Sequence, residues 1–466
     1  MEKGSKIVLY LIFVITVAFG LLPAEMIAQN AYQIRFDLKN QKDSVYILAR
    51  YYGDKVQLVD SVQYYPTQKV IFEGQEKLPG GIYILATGKK VKLLEFVVAD
   101  NQHFTLSADF SDQGNQLNAN GEKENTIFFE NLMLSNKAYA FLEEKRKLAD
   151  AGTITQNAYK QLADSVSKVL NAFKLEAASD EPGLFITKLF RSMEETVIPP
   201  EFEANQEKMY LYYKQHYWDN VDLTDERMLR TPVFSKKIEA YFKNVIPPIP
   251  DSVITGIDSV IGKAGSNKVM RDYLIWYFTG EYQNPSIMGM DKVFVHLADT
   301  YFAHESISNA TESVKKKITE RADVLRSLLI GKTAPDLWLM DTAGVYRSFR
   351  EINAGYLVLF FWDHDCNVCK QELDELNKLF SSKKYPIEVY AIGTNSKLDG
   401  WKDYIIRHNL GWHNVTGTRS LTPDFHDVYD IYGTPVIYLL DKQKTIIAKR
   451  IKAEQISLVI DNQRGK

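Results

Sequence analysis

The chain contains two cysteines, and they stand three positions apart as Cys366-Asn367-Val368-Cys369. Two thiols at that spacing on the first turn of a helix can do redox chemistry. Unpaired backbone N–H groups and the positive end of the helix dipole stabilise a thiolate at a helix start. A second thiol one turn along can then attack the mixed disulfide that the first has formed. Cys366 is therefore the candidate nucleophile and Cys369 the resolving thiol. A metal site built on the same pair needs two more ligands. No second Cys-x-x-Cys exists, and the histidines show no paired spacing beyond His408 and His413.

The elements that must position this pair are legible around it. Tyr356 to Trp362 is an unbroken apolar run rich in aromatic and branched residues, the pattern of a buried strand. Asp363-His364-Asp365 forms a polar break, and Asp365 is expected to cap the following helix. That helix is expected from Cys366 to about Phe380, with Leu373, Leu376 and Leu379 on its apolar face. Before the run, Leu337–Met340 and Val345–Phe349 read as a hairpin closed by Asp341-Thr342-Ala343-Gly344. After the cysteine helix come a strand at Ile387–Ile392, a helix near Leu398–His408 and a short strand at His413–Thr416. A helix near Pro423–Tyr429, strands at Val436–Leu440 and Thr445–Ile451, and a helix at Glu454–Ile460 complete the pattern. Strands alternating with helices predict an α/β sheet covered on both faces.

Ahead of this region the chain changes period twice. From Ala31 to about Phe110 apolar residues alternate with polar ones, as in Ile34, Phe36 and Leu38 against Gln33, Arg35 and Asp37. Turn residues such as Gly53-Asp54, Pro79-Gly80-Gly81 and Asp100-Asn101 punctuate the runs. Residues 29–120 are therefore expected to form a small antiparallel β sandwich or barrel. From Glu124 to Ile330 the spacing becomes helical, as in Tyr159, Leu162, Val166, Leu170 and Phe173. Prolines at 199–200, 232, 247–248 and 250 separate about eight helices, so residues 121–330 read as an all-α domain. Its aromatics, Tyr210, Tyr212, Tyr213, Tyr217 and Trp218 among them, are read as packing residues.

At 466 residues, 45% hydrophobic and 25% charged, the composition is that of a multidomain globular protein. A formal net charge of −3 gives no reason to expect nucleic acid as a partner. Lys3 and Lys6 precede an apolar run from Ile7 to Leu22, then Pro23 and Ala28, which is the build of a secretory signal peptide over residues 1–28. An uncleaved membrane anchor is the alternative for that segment. Export sharpens the reading of the cysteines, because a protein stapled by structural disulfides spreads several pairs along its length.

With these residues in hand, positions 331–466 resemble a thioredoxin-fold domain of the TlpA-like thiol-disulfide oxidoreductase group. The motifs that carry the resemblance are the opening Gly331-x-x-Ala334-Pro335-Asp336, the hairpin, the strand into Trp362, Cys366-x-x-Cys369, and Ile431-Tyr432-Gly433-Thr434-Pro435-Val436. The small β domain and helical domain ahead of it resemble leading domains of unassigned function in exported proteins of Gram-negative bacteria. The resemblance implies a redox-active Cys366–Cys369 disulfide and a cis Pro435 that faces it. It further implies Thr434, Pro435 and Trp362 as the substrate-binding positions. No cofactor is implied, since the dithiol is itself the redox group. Partners would be protein thiols and disulfides, together with an electron donor such as a membrane thiol-reductant pathway, and the location would be the periplasm.

The sequence departs from the family in informative ways. Asp365 replaces the usual tryptophan before the first cysteine, and Phe360 stands where thioredoxins carry a buried acid. Asp363 and His364 are the remaining candidates for proton transfer, with a solvated-turn role as the alternative for each. The expected direction of electron flow is reduction of substrate. A partner-binding scaffold with an accessory thioredoxin domain, or a disulfide isomerase if the chain dimerises, is the alternative. A peroxidatic site, which wants Thr-x-x-x-Cys ahead of its helix, does not match Phe361, Trp362 and Asp363-His364-Asp365.

Overall fold

The computed structural model describes residues 30–464 except 42, 66–68, 112–115 and 396. The expected signal peptide lies outside the described residues. Among the described residues no helix is long and apolar enough to cross a membrane. By internal packing the chain divides into two compact units. One runs to Asp222 and takes in Arg227–Lys237; the other comprises Leu223–Glu226 and everything from Ile238 onward.

The first unit opens with eight strands: β1 (Tyr32–Lys39), β2 (Val45–Tyr52), β3 (Lys55–Gln63), β4 (Val70–Gly74), β5 (Gly81–Thr87), β6 (Lys92–Val98), β7 (His103–Asp109) and β8 (Gln116–Asn118). They form two four-stranded sheets in the orders β4-β1-β7-β8 and β3-β2-β5-β6. The alternation read from the sequence is realised in β1, where Tyr32, Ile34 and Phe36 are buried. Phe36 of β1 meets Phe96 of β6 edge-on at 5.3 Å, and Phe96 also contacts Phe104 of β7 at 6.4 Å. These rings join the inner faces of two separate sheets, so the arrangement is a sandwich rather than a barrel. One pairing corrects the antiparallel expectation: β1 runs parallel to β7. A parallel pair needs a long crossover, and β2 to β6 supply it. Period-two alternation reports which face is buried and carries no information on strand direction.

Ten α-helical segments follow among the described residues, against the eight or so expected. They are α1 (Lys123–Asp150), α2 (Gln156–Asp180), α3 (Phe185–Ser192), α4 (Pro200–Glu203), α5 (Gln206–His216), α6 (Pro232–Ala240), α7 (Pro250–Lys263), α8 (Lys268–Gln283), α9 (Asp291–Leu297) and α10 (Glu312–Ser327). Pro200, Pro232 and Pro250 each open a helix, where the missing N–H is no loss and the fixed φ suits the first turn. Thr155, Asn205, Asn267 and Thr311 accept backbone N–H bonds at the starts of α2, α5, α8 and α10. In the first unit, the buried Asn125 of α1 bonds both the N–H and the carbonyl of Val97, at 2.7 and 2.9 Å, and fastens the helix to β6.

In the second unit the last strands are β9 (Trp338–Asp341), β10 (Tyr346–Ser348), β11 (Tyr356–Trp362), β12 (Ile387–Gly393), β13 (His413–Ser420), β14 (Val436–Asp441) and β15 (Ile446–Lys449). They make one sheet in the order β10-β9-β13-β12-β11-β14-β15. Helices α11 (Asn367–Ser381), α12 (Leu398–Arg407), α13 (Phe425–Tyr429) and α14 (Ile456–Arg464) cover it. The strand β11 explains its own sequence. Val358, Phe360 and Trp362 pack with Leu373 and Leu376 of α11, Trp401 of α12 and Ile456 of α14. Leu357, Leu359 and Phe361 pack on the opposite face with Phe425 and Tyr429 of α13. A strand buried on both faces must be apolar throughout. Each such side chain withdrawn from water contributes roughly 1.5–3 kcal/mol before entropy is counted.

Candidate active site

The cysteine pair sits where β11 ends and α11 begins. β11 runs parallel to β12 and antiparallel to β14, so the loops after β11 and β12 and the loop before β14 meet at one sheet end. Cys366 is half-buried and Cys369 fully buried, and both are free thiols. The helix cap differs from expectation. Cys366, not Asp365, is the N-cap, and its Sγ accepts the Cys369 N–H at 3.1 Å. Cys366 therefore occupies the position where the first turn leaves N–H groups without intrahelical partners.

Asp365 is instead drawn away from the helix. Its carboxylate accepts bonds from Lys397 Nζ at 3.1 Å and Asn395 Nδ2 at 3.3 Å. The hydrogen bond from Lys397 is the main reason its carboxyl pKa lies below the ordinary carboxylate value. Asp363 Oδ1 accepts the Asp365 N–H at 2.8 Å and Asn395 Nδ2 at 2.9 Å. Asn395 thus ties the cysteine loop to the loop after β12. Sequence spacing gave no sign of Asn395 or Lys397. The available signal was topological, since loops following adjacent parallel strands converge.

His364 is buried, with Nδ1 3.8 Å from Asp363 Oδ1 and Nε2 3.7 Å from Asp365 Oδ1. Its Nδ1 has no hydrogen-bond partner among the described residues. It fits against Gly400 of α12, where a Cβ would stand 2.8 Å from His364 Nε2. Phe360, at the position of the family's buried acid, is a core residue stacked 6.2 Å from Trp362.

The Thr434–Pro435 peptide is cis. The Cys366 thiol points at the Thr434 carbonyl, with 3.8 Å between Sγ and O. Burial, followed by the Cys366 contact, pushes the Cys369 thiol from 9.0 up to about 11, while the Thr434 side chain and the Asp363 backbone act in the opposite direction. At neutral pH Cys369 is therefore held in its protonated form. Trp362 is a correction. It is fully buried between Phe360 and Tyr404, so it supports the strand from within and offers no surface to a substrate. The substrate contact that the resemblance implied is replaced by a core position.

Comparison with known proteins follows this geometry. Residues 330–449 match the model of the AhpC/TSA family, and residues 153–326 match a domain of unknown function, DUF5106. The chain is similar to the thiol-disulfide oxidoreductase ResA of Geobacillus kaustophilus, 25% identical over 134 residues that cover 28% of this chain and 75% of that protein. The ResA of Geobacillus thermodenitrificans is 24% identical over the same shares. Among solved structures, a domain described as a "possible thiol-disulfide isomerase" from Cytophaga hutchinsonii is 39% identical, covering 29% of this chain and 95% of that one, with a TM-score of 0.28. A thioredoxin-like protein from Bacteroides caccae is 21% identical and covers 58% of this chain and all of its own, 100%, with a TM-score of 0.47. The chain thus carries a C-terminal thioredoxin-like domain that matches the AhpC/TSA family, and over that domain it is similar to proteins named thiol-disulfide oxidoreductases.

Proposed function

We propose that the chain is an exported reductase of protein disulfides. The observation that carries this reading is the placement of Cys366 Sγ at the start of the helix and against the cis Thr434–Pro435 loop, aimed at the Thr434 carbonyl at 3.8 Å. In the forward reaction Cys366 Sγ, as thiolate, attacks one sulfur of a substrate disulfide. An S–S bond forms to Cys366, and the other substrate sulfur leaves as a thiolate that takes up a proton. Cys369 then loses its proton and attacks Cys366 Sγ, which releases the second substrate thiol and leaves a Cys366–Cys369 disulfide. Two electrons have passed to the substrate, and a dithiol donor, in this reading a membrane thiol-reductant pathway, must restore the pair. Thr434 and Pro435 receive the substrate in extended form, backbone against backbone. Asp363 and His364, adjacent to the nucleophile's turn, serve proton transfer at the Cys369 step. The domain limits are those read from the sequence, 29–120, 121–330 and 331–466, and residues 1–28 direct export to the periplasm.

The deciding experiment equilibrates the purified mature protein in thiol–disulfide buffers and traps free thiols. A potential near about −270 mV supports the reductase reading, and one near about −120 mV reverses the direction of electron flow. Failure of Cys366 and Cys369 to form a disulfide with each other would remove the exchange mechanism altogether.

A further inference from the structure

The loop that carries Thr434 and Pro435 begins at Asp430, the residue that ends α13. Asp430 has φ 50 and ψ 47, the left-handed conformation that Asp tolerates better than most residues. Its carboxylate is almost entirely withdrawn from solvent, at 3% exposed. A buried carboxylate needs charged partners and filled lone pairs, and Asp430 has both. Arg321 of α10 donates Nε to Oδ1 and a terminal nitrogen to Oδ2, each at 3.1 Å, in a two-pronged pair. Arg450, the residue after β15, donates to Oδ2 at 3.1 Å and to the Asp430 carbonyl at 2.7 Å.

Arg450 also grips the far side of the same loop, since its backbone N–H bonds the Ile437 carbonyl at 2.7 Å. The segment from Ile431 to Val436 is therefore pinned before and after Thr434–Pro435 by one residue. Arg321 links that pin to the helices ahead of the sheet. It bonds the Asn284 side chain at 2.9 Å and lies 5.5 Å over the Phe294 ring. Between the two pinned ends Tyr432 is 77% exposed, so the middle of the loop has little packing of its own to hold it.

We infer that Asp430, clamped by Arg321 and Arg450, is a positioning residue that fixes the Thr434–Pro435 loop for substrate, and that α10 thereby sets how the cysteine pair receives a peptide. The inference rests on the disulfide-exchange reading. It assigns to the helices before the thioredoxin sheet a part in substrate recognition. The clamp acts on the strand-receiving loop, and Arg321 and Arg450 bond Asp430 and the loop ends rather than Cys366 Sγ.

The test uses the full mature chain with Arg321→Met, which keeps the side-chain stem over Phe294 and removes the charge, beside Arg321→Lys. Arg321→Met is expected to raise KM for a protein disulfide such as insulin about tenfold with kcat within about twofold, a displacement effect of the kind that misplaced binding groups produce. Amide hydrogen exchange in 431–436 is expected to speed up about tenfold while β11 stays protected. Alkylation of Cys366 by iodoacetamide keeps its rate. Arg321→Lys, which retains charge without the two-pronged pair, gives an intermediate KM. A folded Arg321→Met protein whose KM and loop exchange match wild type overturns the clamp, as does a loss confined to melting temperature. A wild-type protein that reduces no disulfide overturns the exchange reading and the loop's substrate role with it, while the exchange measurement still reports whether Arg321 restrains the loop.

Discussion

The Thr434 carbonyl lies 3.8 Å from Cys366 Sγ, across 68 positions of sequence. The Thr434 side chain also opposes the rise that burial imposes on the Cys369 thiol. The two influences are chemically separate, one through the backbone and one through the side chain, so substitution can divide them.

Thr434→Val keeps the carbonyl and removes the hydroxyl. The first attack by Cys366 should proceed at its normal rate. Cys369 loses the group that favours its thiolate, and resolution should slow about tenfold, the scale of one hydrogen bond to a charged group. Rapid acid quenching and mass spectrometry should then reveal mixed disulfide accumulating in the variant and not in wild type.

Cys366→Ser should abolish exchange, and Cys369→Ser should arrest it after the first attack with substrate bound covalently. The second variant should yield adducts on non-reducing gels that dissolve on addition of dithiothreitol. A protein that turns over normally without Cys369 contradicts the resolving role.

The alkaline behaviour follows from Cys369. Its thiol is raised from 9.0 to about 11, chiefly by burial. Between pH 7 and 9 the resolving step should gain about tenfold per unit, since the thiolate fraction rises in that proportion. A group whose folded-state value is raised favours the native state below its unfolded value and loses that contribution as pH climbs through the folded one. The reduced protein should accordingly lose melting temperature between about pH 9 and 11, and Cys369→Ala should flatten that decline.

Gly393 ends β12 directly opposite Trp362 of β11. A Cβ there would stand 2.4 Å from Trp401 Nε1, and Trp401 is buried in the core. Gly393→Ala should destabilise the fold by about 1–3 kcal/mol through overpacking. Urea denaturation followed by tryptophan fluorescence would measure it.

Trp362→Ala should cost about 3–5 kcal/mol, the range for emptying a large core site. Because Trp362 has no exposed surface, Trp362→Phe should leave KM for a protein disulfide unchanged. A selective rise in KM with normal stability would restore it as a substrate contact.

The amino-acid sequence by itself determined the strand, the turn, the cysteine helix and the order of the elements around them. Tyr356 to Trp362 could only be a strand buried on both faces, because no exposed face tolerates so unbroken an apolar run. Cys366 and Cys369 lie on one helical turn through local spacing alone, and the switch from period two to helical spacing near residue 121 marks where the strands give way to helices. What spacing could not supply was anything joined across the chain. The parallel β1–β7 pair depends on a crossover of five strands, and alternation is blind to direction. The exchange of Asp365 for Cys366 at the helix cap was decided by Lys397 and Asn395, which approach from the loop after β12 and draw the carboxylate away. The Arg321–Asp430 pair, 109 positions apart in sequence, exists because burial compels a carboxylate to find its charge wherever the fold brings one. Local sequence sets which residues are able to react; the enclosing structure sets which of them meet.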